Sequence, residues 1–244
     1  MRIDRNKVLN QVRRILLKLS GEALAGDVGF GIDPSVLHFI SGEIRGLLDD
    51  GGQIAVVLGG GNLFRGETLA ADGMDRVNGD RLGMLATTMN GLAMADVLQR
   101  DGVMAEVFSA IGIDGVVSTY DRDRAGEILD NAGVAILTGG TGNPFFTTDT
   151  AACLRGAELG VDAVLKATNV DGVYDSDPHT NDDAKRFEKI TYDEVLRREL
   201  RVMDLTAIVL AKEQSLPLVV FDLKEAGAMR RIVAGEMVGT IVAG

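Results

Sequence analysis

Two lysines stand where a hydrophobic strand would normally carry an apolar side chain. Lys18 sits in the run Ile15-Leu-Leu-Lys-Leu19, and Lys166 ends the run that begins at Ala163. Lysine is seldom placed in such surroundings for packing alone. The alternative is a side chain that snorkels to water from a sheet edge. Three apolar runs open into loops of small residues: Lys18-Leu-Ser-Gly21, Gly59-Gly-Gly-Asn62 and Gly139-Gly-Thr-Gly142. Glycine lets backbone N–H groups reach an anion with no Cβ in the way. One such loop can be a tight turn and nothing more. Three of them, beside two strand lysines, favour a large polyanionic ligand such as ATP. Asp149 joins the set, although a carboxylate at a helix start is also explained by the helix dipole alone.

The usual phosphate signatures are missing. No glycine is followed by lysine, so there is no Walker A loop. No G-x-G-x-x-G follows the first strand, and no H-R-D or D-F-G triplet occurs. With only His38, His179 and Cys153 available, a zinc site or a His-activated nucleophile is disfavoured. Cys153 reads as a packed residue and His179 as a solvated loop residue. Met84, Met89 and Met94 read as core and interface filler.

The elements that must position these residues alternate between strand and helix. Strands are expected at 15–19, 54–58, 103–108, 134–137, 163–166, 218–221 and 240–242. Asp33-Pro34 is a helix start, with Asp as N-cap and Pro in the first turn, and the helix should run to about Leu48. Further helices are expected at 80–100, 148–159, 204–214 and 225–233. In the long one, Leu82, Leu85, Met89, Leu92, Ala93 and Leu98 mark one face. Asp171-Gly172 suggests a hairpin turn within 169–174, with a polar loop over 175–183. Thr191-x-x-Glu194 is a capping box. This alternation predicts an α/β three-layer sandwich, a mostly parallel sheet with helices on both faces. Ligands then bind at the carboxyl edge of the strands.

Taken together, Lys18-Leu-Ser-Gly-Glu-Ala-Leu24, Gly59-Gly-Gly-Asn-Leu-Phe-Arg-Gly66, Gly83-Met-Leu-Ala-Thr87 with Asn90-Gly-Leu-Ala93, Thr141-Gly-Asn-Pro-Phe-Phe-Thr-Thr-Asp149 and Lys166-Ala-Thr-Asn-Val-Asp-Gly-Val-Tyr174 resemble the bacterial-type UMP kinases of the amino acid kinase superfamily. The resemblance spans about Arg14 to Val242. Its most specific segment is Gly142-Asn-Pro-Phe-Phe-Thr-Thr-Asp149; the lysine and glycine pieces also occur in carbamate, acetylglutamate and aspartate kinases. Asn169 falls where a lysine is also common. The resemblance implies one domain over 14–244, with 1–13 as an extension lacking any motif, and a homohexamer. It implies transfer of a phosphoryl group from MgATP to UMP, with GTP as activator, UTP as inhibitor and Mg²⁺ carried by ATP. By motif, Lys18, Leu19, Ser20, Gly21, Gly61, Arg65, Thr168, Tyr174 and Asp177 face ATP. Gly60, Asp80, Thr141, Gly142, Asn143, Pro144, Phe145, Phe146, Thr147 and Thr148 face UMP, with Asp80 at its ribose. Lys18, Lys166 and Asp149 carry catalysis. Gly26, Asp27, Val28, Gly29, Phe30 and Gly31 match the segment tied to GTP activation.

Bulk properties fit that picture. The 244 residues carry a formal net charge of −11, which argues against a general nucleic-acid binder. No apolar run is long enough to span a bilayer, and the first 14 residues lack the apolar core of a signal peptide. One cysteine cannot form an intrachain disulfide, as expected of a cytoplasmic protein. Two rival readings are a kinase of the same superfamily acting on a carboxylate or carbamate, and a nucleotide sensor without catalysis. The Gly142-Asn-Pro-Phe-Phe146 segment argues against the first, and the presence of Lys18, Asp149 and Lys166 together against the second.

Overall fold

Strand β1 (Arg14–Leu19) sends alternate side chains to opposite faces. Ile15, Leu17 and Leu19 enter one hydrophobic core, and Leu16 enters the other. The computed structural model describes residues 12–64, 73–178, 180–181, 183–200 and 202–244. Arg65, His179 and residues 1–11 of the expected extension lie outside them. The other strands are β2 (Gln53–Leu58), β3 (Ala105–Ser109), β4 (Ser118–Thr119), β5 (Val134–Thr138), β6 (Ala163–Thr168), β7 (Val173–Tyr174), β8 (Arg186–Phe187), β9 (Lys189–Ile190), β10 (Leu218–Asp222) and β11 (Thr240–Val242). One sheet has the order β4-β3-β5-β2-β1-β6-β10-β11-β9. All its neighbours run parallel except β10 and β11. Strands β2, β1 and β6 are apolar on both faces, as a doubly covered parallel sheet requires.

After the single turn α1 (Gly21–Leu24), helices α2 (Pro34–Asp49), α3 (Arg76–Arg100) and α8 (Ala228–Val233) cover one face. Helices α4 (Arg122–Asp130), α5 (Thr148–Leu159), α6 (Tyr192–Arg197) and α7 (Leu205–Glu213) cover the other. This is the expected three-layer α/β sandwich. The caps read from sequence are present: the Asp33 carboxylate accepts from Ser35 N, and the Thr191 hydroxyl accepts from Glu194 N. Among the described residues, no helix is long and apolar enough to cross a membrane.

Four expectations need correction. Asp171-Gly172 is not a hairpin turn. Thr168 Oγ1 bonds to both the N–H and the C=O of Val170, which holds the preceding residues in a turn. β7 instead pairs antiparallel with β8, Val173 opposite Phe187 and Tyr174 opposite Arg186, so the polar stretch that follows Tyr174 connects them. Helix α3 begins at Arg76 rather than Asp80, capped by the Asp75 carboxylate. Of its expected face, Leu98 is buried and Ala93 packs against the core, whereas Leu82, Leu85, Met89 and Leu92 are exposed, and Met84, Thr87, Met94 and Val97 are buried instead. The helix is apolar on two sides, so spacing alone did not choose between them. Lastly, α8 begins at Ala228, after Gly227 at φ +74°, not at Glu225.

Candidate active site

The centre of the site is set by strand register. β1 and β6 are parallel neighbours with Lys18 opposite Lys166. The flanking Leu17, Leu19, Leu165 and Ala167 all belong to the core under α2, α3 and α8. The two lysines therefore emerge side by side on the face covered by α5. Asp149, in the first turn of α5, lies between them. Its Oδ1 is 2.7 Å from Lys18 Nζ and its Oδ2 is 2.7 Å from Lys166 Nζ. Lys18 and Asp149 are 5% and 8% exposed. The snorkelling alternative for Lys18 therefore fails. Lys166 Nζ also donates to the Val202 carbonyl.

Electrostatics decide the ionisation states. Burial opposes a charge on Asp149, but the Lys18 and Lys166 ammonium groups outweigh it and hold the carboxyl below the usual carboxylate range. Burial pulls Lys166 below the ordinary lysine range, with Asp149 pulling the other way. One carboxylate bridges two ammonium groups in a nearly water-free place, with Asp204 adding a weaker negative influence on Lys166. An anion is the natural complement.

The chain supplies further donors around this charge. Thr147 Oγ1 caps α5 by accepting from Asp149 N (3.0 Å) and Thr150 N (3.4 Å), and the positive end of α5 points the same way. Asp204 accepts from the Thr147 and Thr150 hydroxyls and ties this end of α5 to α7. The loops after β1 and β2 touch: Gly59 N donates to Leu19 O (2.8 Å). A Cβ on Gly21 would lie 2.4 Å from Gly61 N, and one on Gly60 would lie 2.7 Å from the Gly83 carbonyl. Only glycine permits that approach.

A cavity of about 520 Å³ opens beside these loops. Of the residues expected at UMP, it is lined by Gly60, Asp80, Phe146, Thr147 and Thr148; Gly61, expected at ATP, lines it too. Thr141 and Asn143 line a different groove, with Phe146, between the loop and the α5 and α7 surface. Phe145 is exposed at φ +71° and is held by its N–H, which donates to Asp80 Oδ2 at 2.7 Å. Asp80 Oδ1 accepts from Arg76 Nε at 2.8 Å. Asp80 thus latches the 142–148 loop to α3. Thr168, Tyr174 and Asp177 do not line the cavity. Thr168 lies two residues beyond Lys166, at the carboxyl edge of β6, and the Tyr174 hydroxyl donates to Asp171 Oδ1 at 2.6 Å. Of the 26–31 segment, Gly26 and Asp27 line a second cavity of about 400 Å³, whereas Val28, Gly29, Phe30 and Gly31 do not, and Glu22 forms a wall common to both cavities. Val28 and Phe30 are 82% and 69% exposed.

Sequence reasoning missed Glu22, Phe64, Arg76, Met84 and Thr87 in the main cavity, whereas Gly140 there belongs to a glycine loop already singled out. Arg76 stands four residues before Asp80, the spacing of a helical ion pair. Residues 80, 83, 84 and 87 share one helical face, a signal overlooked because the apolar residues between them drew attention. Cys153 is buried and its thiol is pushed up to about 12 by burial, which suits an inert packing residue. Met84 and Met94 are core, whereas Met89 is 56% exposed.

Comparison with known proteins converges on one family. The model of the amino acid kinase family matches residues 13–222. A uridylate kinase from Marinobacter nauticus is 56% identical over 230 residues, which cover 94% of this chain and 95% of that protein. One from Pseudomonas aeruginosa is also 56% identical, covering 94% of each. The crystal structure of a UMP kinase from Bacillus anthracis superposes with a TM-score of 0.93 at 41% identity, covering 96% of this chain and 97% of the other. That of a UMP kinase from Ureaplasma parvum gives 0.89 at 35% identity, covering 96% and 99%. The sandwich, the lysine pair bridged by Asp149 and these likenesses agree: the chain belongs to the amino acid kinase family and, within it, to the uridylate kinases.

Proposed function

We propose that this chain transfers the γ-phosphoryl group of MgATP to UMP, yielding ADP and UDP. The observation that carries the reading is the Lys18–Asp149–Lys166 cluster, two lysines bridged by one carboxylate near the carboxyl edge of the sheet. Two phosphorylated substrates repel each other, and phosphoryl transfer demands alignment and neutralisation more than covalent chemistry. A UMP phosphate oxygen attacks the γ-phosphorus. The bond to the bridging oxygen breaks, and its electron pair leaves with ADP. Lys18 and Lys166 stabilise the equatorial oxygens, and Asp149 keeps the two ammonium groups apart and oriented. The UMP phosphate is already ionised near neutral pH, so no general base is required.

Mg²⁺ fits this site as a passenger of the triphosphate. Both Asp149 oxygens are taken by lysines, and no cluster of three or more acidic, His or Cys groups is assembled among the described residues. When bound, Mg²⁺ supplies charge neutralisation on the β- and γ-phosphates. The amides of Lys18 to Gly21 and of Gly61 hold the ATP phosphates, and the family resemblance assigns Arg65 to ATP as well. Thr168, Tyr174 and Asp177 take the adenosine side. Gly60 and Thr141 to Thr148 wrap UMP, and Asp80 takes its ribose.

In this reading residues 14–244 form one cytoplasmic domain. GTP activates through the Gly26 to Gly31 segment. UTP, which shares base and ribose with UMP, inhibits. A homohexamer is supported by the exposed apolar stripe Leu82, Leu85, Met89 and Leu92 on α3, because such stripes mark contact surfaces. The deciding experiment measures ADP release with UMP, CMP, dUMP, a carboxylate and carbamate as acceptors, with and without GTP and UTP, alongside the mass in solution. ADP formation with UMP above all other acceptors supports the reading. Nucleotide binding without ADP formation refutes it.

A further inference from the structure

Two asparagines with no assigned role close an amide pair beneath the glycine loops. Asn62 and Asn90 are 1% and 0% exposed. Asn90 Nδ2 donates to Asn62 Oδ1 at 2.7 Å, and Asn62 Nδ2 donates to Asn90 Oδ1 at 3.0 Å. The remaining amide protons go to backbone carbonyls, from Asn90 to Gly59 O and from Asn62 to Gly31 O, both at 2.7 Å. Gly31 N returns a bond to Asn62 O at 3.1 Å. Every amide proton is used. Turning either amide would set its oxygen against a carbonyl, so one orientation alone satisfies the pair.

Stability alone does not account for this arrangement. The bonds between the two side chains could give way to an apolar pair of similar shape at little cost, although the Gly59 and Gly31 carbonyls would then lose a donor. What an apolar pair lacks is direction. Asn90 is in the middle of α3, Asn62 follows Gly61, and Gly31 belongs to the 26–31 segment. A Cβ on Gly21 would lie 2.8 Å from Asn62 Oδ1, so the loop after β1 rests on the same pair. Three segments distant in sequence therefore share one hydrogen-bonded joint, with the loop after β1 packed closely against it.

We propose that Asn62 and Asn90 are positioning residues. They hold the Gly59–Gly61 amides in place against Gly21 and make that placement depend on the 26–31 segment. The inference rests on the phosphoryl-transfer reading above, since it needs those amides to meet phosphate.

The test uses the full chain with Asn90→Ala, Asn90→Asp and Asn62→Ser, each checked for folding by circular dichroism at the assay temperature. Three readouts are taken: kcat, KM for MgATP, and amide hydrogen exchange at residues 59–61 and 31. Folded Asn90→Ala should lose about 10- to 100-fold in kcat/KM, the scale of a misplaced binding group. Its exchange should accelerate at both segments together. Asn90→Asp sets an acceptor against the Gly59 carbonyl and should lose at least as much. A lower melting midpoint with unchanged kcat, KM and exchange in the folded protein overturns the proposal. Should Asn90→Ala fail to fold, Asn62→Ser decides by the same readouts. If the wild-type chain makes no UDP, the proposed function falls, and the exchange data still judge the joint.

Discussion

Asp149→Asn is the sharpest probe of the charge arrangement. The substitution keeps shape and removes one negative charge from between two ammonium groups. Each ammonium lies 2.7 Å from a carboxylate oxygen, so each ion pair contributes about 6 kcal/mol at an effective dielectric constant near 20. The repulsion between the two ammonium groups is already present in the wild type, where Lys18 helps to lower Lys166, so the substitution removes the attraction that opposes it. Losing about half of one such attraction equals about two pKa units, and it falls on a site where burial already pulls Lys166 down. Lysine is charged below its pKa, so the alkaline limb of kcat should move toward neutrality by about two units. At neutral pH one lysine is then discharged or displaced, and kcat should drop about 10²–10³-fold, the cost of one preorganised donor. The assay is a coupled measurement of ADP release from pH 6 to 10, with circular dichroism as folding control. A folded Asp149→Asn enzyme with kcat within about threefold of wild type, and an unmoved alkaline limb, would show that the lysines do not depend on this carboxylate.

Other outcomes follow from neighbouring features. Lys18→Ala should lower kcat about 10²–10³-fold, and wild-type turnover in that variant removes Lys18 from the mechanism. Gly60→Ala drives a Cβ to 2.7 Å from the Gly83 carbonyl and 2.9 Å from Ala86 Cβ; the loop must shift, and a titration should show a higher KM for UMP. UMP should exceed CMP in kcat/KM, because a base with the wrong hydrogen-bond pattern leaves buried groups unpaired; equal values contradict the UMP assignment. Tyr192→Phe serves as the contrast. It removes a buried bond from the tyrosine hydroxyl to Leu216 O at 2.6 Å, so thermal unfolding should reveal a loss of about 1–2 kcal/mol, with kcat unchanged.

Much of this architecture was legible in the residues. Apolar runs closed by glycine, with Asp33-Pro34 and Thr191 as caps, announce strands and helix starts through local chemistry, and the structure follows them. Lys18 and Lys166 were visible as anomalies for the same reason: a charge in an apolar run needs a cause. What stayed hidden depends on partners distant in the chain. The exposed stripe of α3 looks like a core stripe until the sheet takes its other side. Strands β4, β8 and β9 are two residues long and exist only through the neighbours they pair with. Asp171-Gly172 carried a turn signal, but the bonds of Thr168 and Thr240 to that segment redirected it. Arg76 and Thr87 could have been found by extending the helical face of Asp80 in both directions.

The pairing of Lys18 with Lys166 across β1 and β6 means that the two charges spring from backbone positions set side by side, with Asp149 holding their ammonium ends. Slipping either strand by one residue would turn its lysine to the opposite side of the sheet. Because the two strands come from distant parts of the chain, a nascent or truncated polypeptide owns neither the pair nor its counter-ion. Phosphoryl transfer therefore requires β1 and β6 to be paired in register.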